Sequence, residues 1–148
     1  MPASQRRSDH HVAFEPSPKR VRAVVSGKTV ADTLCAGLVF ETGHQPIYYF
    51  PRDDVRMDFM EPTNHRTHCP YKGDASYWTL RVGNRAVENA VWSYEQPLAG
   101  MERIKGLLAF YWNRVDHWFG EDEEVFGHVR DPIPSYPPPL AQEPIEIT

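Results

Sequence analysis

Apolar and polar residues alternate in short runs through the middle of the chain, and this period of two predicts β-strands. Val21 and Ala23 alternate with arginines, and Lys28–Thr33 repeats the alternation after a Ser26-Gly27 pair that is typical of a hairpin turn. Other runs are rich in β-branched and aromatic residues and end at glycine, asparagine or proline. The predicted strands cover residues 20–25, 28–33, 35–42, 46–51, 55–60, 75–82, 85–94, 106–113 and 114–119.

These strands are short, regularly spaced and accompanied by little helix. Helical turns are expected only at residues 53–55 and within residues 97–104, and residues 67–74 are predicted to be a loop that feeds the next strand. The last two predicted strands are expected to form a hairpin. The pattern predicts a mainly β protein with two antiparallel sheets, packed as an open sandwich or open barrel.

The two ends of the chain differ from this middle. Residues 1–18 are polar and have little to bury, so a disordered or loosely tethered arm is expected there. Residues 132–148 contain six prolines and favour an extended polyproline conformation. A single β domain is therefore predicted for residues 19–131. The proline-rich segment is either a solvated tail or a ligand for a proline-reading partner, and the first interpretation is favoured.

Composition narrows the class of protein. The chain has 148 residues, of which 24% are charged and 41% hydrophobic, and this suits one soluble domain with its own core. A formal net charge of -4 argues against a nucleic-acid partner held by bulk phosphate attraction. Two cysteines, no signal-peptide pattern and no long apolar run predict a cytoplasmic protein without membrane contact.

Several short motifs occur in a specific order. The most specific block is Cys69-Pro70-Tyr71-Lys72-Gly73, which is followed by Ala75 and Tyr77-Trp78. The other matching positions are Arg22, residues 30–33, Glu41-Thr42, Pro46, Tyr48-Tyr49, Pro51, Asp54-Val55, Thr67, Asn89, Trp92, Tyr94, Pro97, Gly106, Phe110-Tyr111 and Val115-Asp116. Over residues 20–118 the sequence resembles the domain of unknown function 427 family. That resemblance implies a β-tent, or Mss-four-like, architecture, in which two antiparallel sheets lean together.

Proteins of the β-tent architecture usually hold a zinc ion with two CxxC pairs. This chain has only Cys35 and Cys69 and no CxxC pair, so we expect neither a zinc ion nor another metal or cofactor. His65 and His68 lie close to Cys69 and are zinc-ligand types, but no second ligand pair has a supporting spacing. Exposed loop histidines are the favoured interpretation of this stretch.

Cys69 itself has two interpretations. With His68 or Lys72 as a cationic activator, it would be a catalytic nucleophile or a redox thiol. As a small buried side chain ahead of Pro70, it would only form part of the wall of a binding cleft. The sequence favours this structural role for Cys69 and leaves enzymatic activity undecided.

The favoured function is the binding of a small anionic or nucleotide-like molecule in an aromatic cleft. Tyr77 and Trp78 point to opposite faces of one strand, so one is expected in the core and the other outside or in a cleft. The predicted ligand-binding residues are Arg22, Glu41, Lys72, Tyr77, Trp78 and Trp92. The alternatives are an enzyme that uses Cys69 and an interaction module that uses the proline-rich tail. The sequence leaves homo-oligomer formation undecided.

Overall fold

The computed structural model describes residues 10–125, where strands alternate with short 3-10 turns. The strands are β1 (Val12–Pro16), β2 (Val21–Val25), β3 (Lys28–Thr33), β4 (Gly37–Glu41), β5 (Ile47–Phe50), β6 (Met60–Cys69), β7 (Gly73–Val82), β8 (Arg85–Ser93), β9 (Leu108–Phe110), β10 (His117–Gly120) and β11 (Glu123–Val125). The 3-10 turns are Arg52–Asp54, Met57–Phe59, Glu102–Ile104 and Trp112–Arg114.

The strands form two antiparallel sheets. The larger sheet has seven strands in the order β1-β4-β5-β9-β8-β7-β6, and the smaller has four in the order β11-β10-β2-β3. Neither sheet closes on itself. The predicted fold class, a mainly β protein with two antiparallel sheets, is therefore confirmed.

Two hydrophobic clusters cover the two faces of the seven-stranded sheet. The first lies between the sheets and includes Val21, Phe50 and Trp118, which are almost fully buried. The second lies on the opposite face, where the segment that contains Ile104 covers the central strands. Because both faces are covered, all four residues of β5 are buried and its sequence is apolar throughout rather than alternating.

The hairpin of β6 and β7 differs from the loop predicted for residues 67–74. Cys69 pairs with Gly73, so the connection is a tight turn through Pro70, Tyr71 and Lys72. An irregularity in register separates Pro62 from Arg66. β6 is an edge strand. Edge strands often carry prolines and charged residues, so the alternation of apolar and polar residues that predicts a strand is weak in them.

The predicted hairpin of residues 106–113 and 114–119 is wrong. β9 pairs with β5 and β8 in the larger sheet, whereas β10 pairs with β2 and β11 in the smaller one. The 3-10 turn Trp112–Arg114 carries the chain from one sheet to the other. Residues 55–60 are also not the predicted strand. Val55 forms an isolated bridge to Ala31, Met57–Phe59 is a 3-10 turn, and Met60 begins β6.

The first strand lies within the segment expected to be a loosely tethered arm. Val12–Pro16 pairs with Gly37–Glu41 at the edge of the seven-stranded sheet. Phe14 and Val12 pack on the second cluster, so this part of the arm does have apolar contacts. The predicted proline-rich tail, residues 132–148, lies outside the described residues.

Candidate functional site

A buried ion pair joins the end of β4 to the turn between β6 and β7. Lys72 Nζ donates to Glu41 Oε1, and both side chains are more than nine-tenths buried. The other carboxylate oxygen, Oε2, lies 2.9 Å from His10 Nε2 and 4.0 Å from His44 Nε2. Three basic side chains from separate segments therefore converge on one carboxylate.

Burial and charge act against each other in this cluster. Burial by itself raises the pKa of Glu41, but the charge and hydrogen bond of Lys72, with smaller effects of His44 and His10, lower it below its ordinary value. Burial by itself lowers the pKa of Lys72, but the negative charge of Tyr49, which exists only at high pH, and that of Glu41 outweigh burial and raise it. Both groups are therefore charged at neutral pH.

Aromatic residues surround the ion pair. Tyr71 stacks on His10 with 3.7 Å between ring centroids, and the ring of Tyr94 lies 5.7 Å from Lys72 Nζ. Burial raises the pKa of Tyr49 to about 12, and its hydroxyl accepts a 3.2 Å hydrogen bond from Trp92 Nε1. Tyr49 is therefore neutral at neutral pH and contacts the ion-pair cluster as an uncharged ring.

Cys69 lies beside this cluster as a buried thiol. Burial raises its pKa, and the opposing effect of Lys72 does not reverse that shift. Because a thiolate is the reactive form, this environment does not activate Cys69 as a nucleophile. Cys35, by contrast, is exposed. Within residues 10–125, no group of three or more His, Cys, Asp or Glu side chains is placed to hold a metal ion.

The structure brings five predicted site residues to one face of the larger sheet. Glu41 and Lys72 form the ion pair, and Cys69, Tyr77 and Trp92 belong to the cluster on the same face. Trp78 lies on the opposite face, between the sheets. Arg22 lies in the smaller sheet, where it donates to Glu121 O over a distance of 3.3 Å and covers the ring of Phe119.

Two specific expectations about these residues differ from the structure. Tyr77 and Trp78 do point to opposite faces, but both are buried because both faces of the sheet are covered. Trp78 and Trp92 lie in separate clusters on opposite faces of the sheet, so they do not line one aromatic cleft.

An open cleft lies near the start of β7. Its volume is about 600 Å³, and Arg66, Asp74, Ser76, Glu95 and Gln96 line it. Arg66 is the register partner of Ser76, and Asp74 lies two residues before Ser76 on the same face of β7. This group of residues is called the Arg66 cleft below.

Arg66 is held in place without a carboxylate partner. Its Nη1 donates to Thr63 O at 3.0 Å and to His65 O at 2.7 Å. Within residues 10–125 it forms no ion pair, whereas the exposed Arg81 is paired with Glu61. The remaining guanidinium donors are thus pre-oriented for an external acceptor.

Sequence reasoning missed the Arg66 cleft because it treated residues 67–74 as a loop. A hairpin with its turn at residues 69–73 would have placed Arg66 opposite Ser76. The available signal was Gly73, which has a positive φ of 115° and permits the tight turn. Polar residues on an edge strand gave no further signal.

The fold and its sites define an all-β domain with a buried ion-pair cluster on one face and an open polar cleft near one sheet edge. The chain belongs to the family described as a domain of unknown function, DUF427, which matches residues 13–121. No curated protein matches the sequence. The described part of the chain, residues 10–125, has no helix with the length and apolar character needed to cross a membrane.

Proposed function

We propose that this protein binds a small polar molecule with an anionic group, and that Arg66 receives that group. The observation that carries the proposal is the pre-oriented guanidinium of Arg66 at the wall of a cleft of about 600 Å³. Clefts of this volume are in the range that holds small ligands. A bidentate arginine contact favours a carboxylate or a phosphate.

The Arg66 cleft is a better ligand site than the Glu41–Lys72 cluster. Lys72 is already neutralised by Glu41, and an incoming anion would have to displace that carboxylate. Arg66 is open to solvent, and within residues 10–125 it is not ion-paired with a carboxylate. The Glu41–Lys72 cluster then supports the turn that precedes β7, where the cleft lies.

The polar lining favours a small polar ligand over a nucleotide. A nucleotide base is usually recognised by stacking on an exposed aromatic ring. Trp78 lies two residues after Ser76 on the same face of β7, but it is buried, and Arg52 covers its ring at 5.4 Å. Arg52 also lies 3.6 Å from Glu95, so its guanidinium contacts both the ring and the lining of the cleft.

The test is a nuclear magnetic resonance titration of the full chain with pentanoate and with glycerol phosphate. Amide signals of Ser76 and Gln96 should shift, and Arg66→Met should weaken binding about tenfold or more, since a charge-assisted hydrogen bond is lost. Arg81→Met, on the same hairpin, is the matched control and should bind as the wild type does. Absence of shifts, or equal binding by Arg66→Met, would refute the proposal.

A further inference from the structure

Two carboxylates, those of Asp74 and Glu95, line the Arg66 cleft. Ser76 pairs with Ser93 in the β7–β8 ladder, and each carboxylate lies two residues from this pair, Asp74 on β7 and Glu95 in the bend just after β8. Like charges that share one cleft repel each other, and a cation between them would remove that repulsion.

Each carboxylate has one basic neighbour, and each retains an open oxygen. His68 Nδ1 lies 2.6 Å from Asp74 Oδ1, and Arg52 Nη1 lies 3.6 Å from Glu95 Oε2. Within residues 10–125, Asp74 Oδ2 and Glu95 Oε1 have no hydrogen-bond partner. A carboxylate can accept about four hydrogen bonds, so both groups have spare acceptor capacity.

A buried hydroxyl lies next to these carboxylates. Ser93 is fully buried, and its Oγ has no hydrogen-bond partner among the described residues. As the register partner of Ser76, Ser93 points to the same face of the sheet as the cleft. Ser93 therefore keeps unused hydrogen-bonding capacity on that face of the sheet, one strand away from Ser76.

The spare acceptors lie to one side of the free guanidinium. Arg66, Ser76 and Ser93 form one row of the sheet, Asp74 lies two residues away from Ser76 along β7, and Glu95 follows the end of β8 on the same side. Two residues along a strand correspond to about 6.7 Å. The cleft therefore offers a donor for an anion at one end and acceptors for a cation at the other.

We propose that the ligand is an amino-acid-like zwitterion, with its anionic group at Arg66 and its ammonium group between Asp74 and Glu95. This inference rests on the proposed function and adds the second charged group. An ammonium group supplies three donors and a positive charge, which match the open carboxylate oxygens. The spacing between these two ends of the cleft favours an extended ω-amino acid.

The experiment compares three matched probes on the full-length chain: 5-aminopentanoate, pentanoate and 1-aminopentane. Titrations followed by nuclear magnetic resonance should show 5-aminopentanoate binding about tenfold more tightly than pentanoate, because one charge-assisted contact is added. The double variant Asp74→Asn/Glu95→Gln should lose this gain, because the negative charges that attract the ammonium group are removed. Glu61→Gln, an exposed carboxylate on the same hairpin, should keep the gain.

The outcomes separate this inference from the proposed function. Equal affinity for pentanoate and 5-aminopentanoate would overturn the inference while anion binding at Arg66 stands. If neither acid binds the wild-type protein, the inference falls, and the proposed function falls with it when glycerol phosphate also fails to bind. If 1-aminopentane binds as tightly as 5-aminopentanoate, the role of Arg66 is wrong. Thermal unfolding of each variant confirms that it is folded, which is expected because the side chain of Asp74 is 72% exposed and that of Glu95 is 43% exposed.

Discussion

Lys72 and Glu41 come from a turn and a strand that are 31 residues apart in sequence, yet they form an ion pair shielded from solvent. Taking two charges out of water is costly, and their mutual attraction compensates only when both remain. The pair also joins β4 to the β6–β7 hairpin, two parts of the sheet with three strands between them. It therefore constrains the turn that precedes the Arg66 cleft.

Removal of one partner should destabilise the fold strongly. Glu41→Gln leaves a buried ammonium without its carboxylate, and the expected loss is about 3–5 kcal/mol in the free energy of unfolding. Urea denaturation measures this change.

The double variant Glu41→Gln/Lys72→Met should regain part of the loss, because no unpaired charge remains. Glu61→Gln, which breaks an exposed pair with Arg81, is the control and should have a much smaller effect. Equal losses of stability in Glu41→Gln and Glu61→Gln would contradict the assignment of Glu41 and Lys72 as a buried ion pair that stabilises the fold.

Stability should fall in acid partly because of Glu41. Its pKa is lowered in the folded protein, after burial and the opposing charge of Lys72 are both counted, so protons bind more readily to the unfolded chain. The contribution is present above the ordinary pKa of 4.5 and is lost as pH falls through the lower folded value. Urea midpoints between pH 6 and about pH 3 should drop less for Glu41→Gln/Lys72→Met than for the wild type. If the urea midpoints of the two proteins fall by the same amount between these pH values, Glu41 does not contribute to the loss of stability in acid.

The two cysteines should differ in reactivity. Burial raises the pKa of Cys69, whereas Cys35 is exposed. Iodoacetamide followed by mass spectrometry should therefore modify Cys35 first in the native protein. Cys35→Ser should remain nearly unmodified until urea unfolds it, and Cys69→Ser should react as the wild type does. Rapid modification of native Cys35→Ser would instead support Cys69 as an activated nucleophile.

Gly73 should tolerate substitution less well than Gly83. Both have positive φ, 115° and 59°, but a Cβ at residue 73 would lie 3.3 Å from Leu98 N and 3.5 Å from Gln96 O. A Cβ at residue 83 meets no atom within 4 Å. Gly83→Ala should cost about 1 kcal/mol for the left-handed backbone, and Gly73→Ala about 2–3 kcal/mol. Urea denaturation compares the two, and equal costs would show that the turn readily adjusts.

Local patterns in the sequence were sufficient for most strands. Lys28–Thr33 was predicted with its bounds, because alternation and a Ser26-Gly27 turn both act over a few residues. β7 and β8 were also predicted within two residues at each end. β6 was missed, since an edge strand needs no apolar face of its own and its register depends on β7.

The sequence by itself determined a mainly β domain of the DUF427 family and identified five residues that lie together on one face: Glu41, Cys69, Lys72, Tyr77 and Trp92. Only the tertiary structure decided that Lys72 is neutralised by Glu41, that Arg22 and Trp78 lie elsewhere, and that Arg66 faces an open cleft. The physical reason is that strand identity depends on local alternation, whereas charge pairing and clefts depend on which distant strands become neighbours.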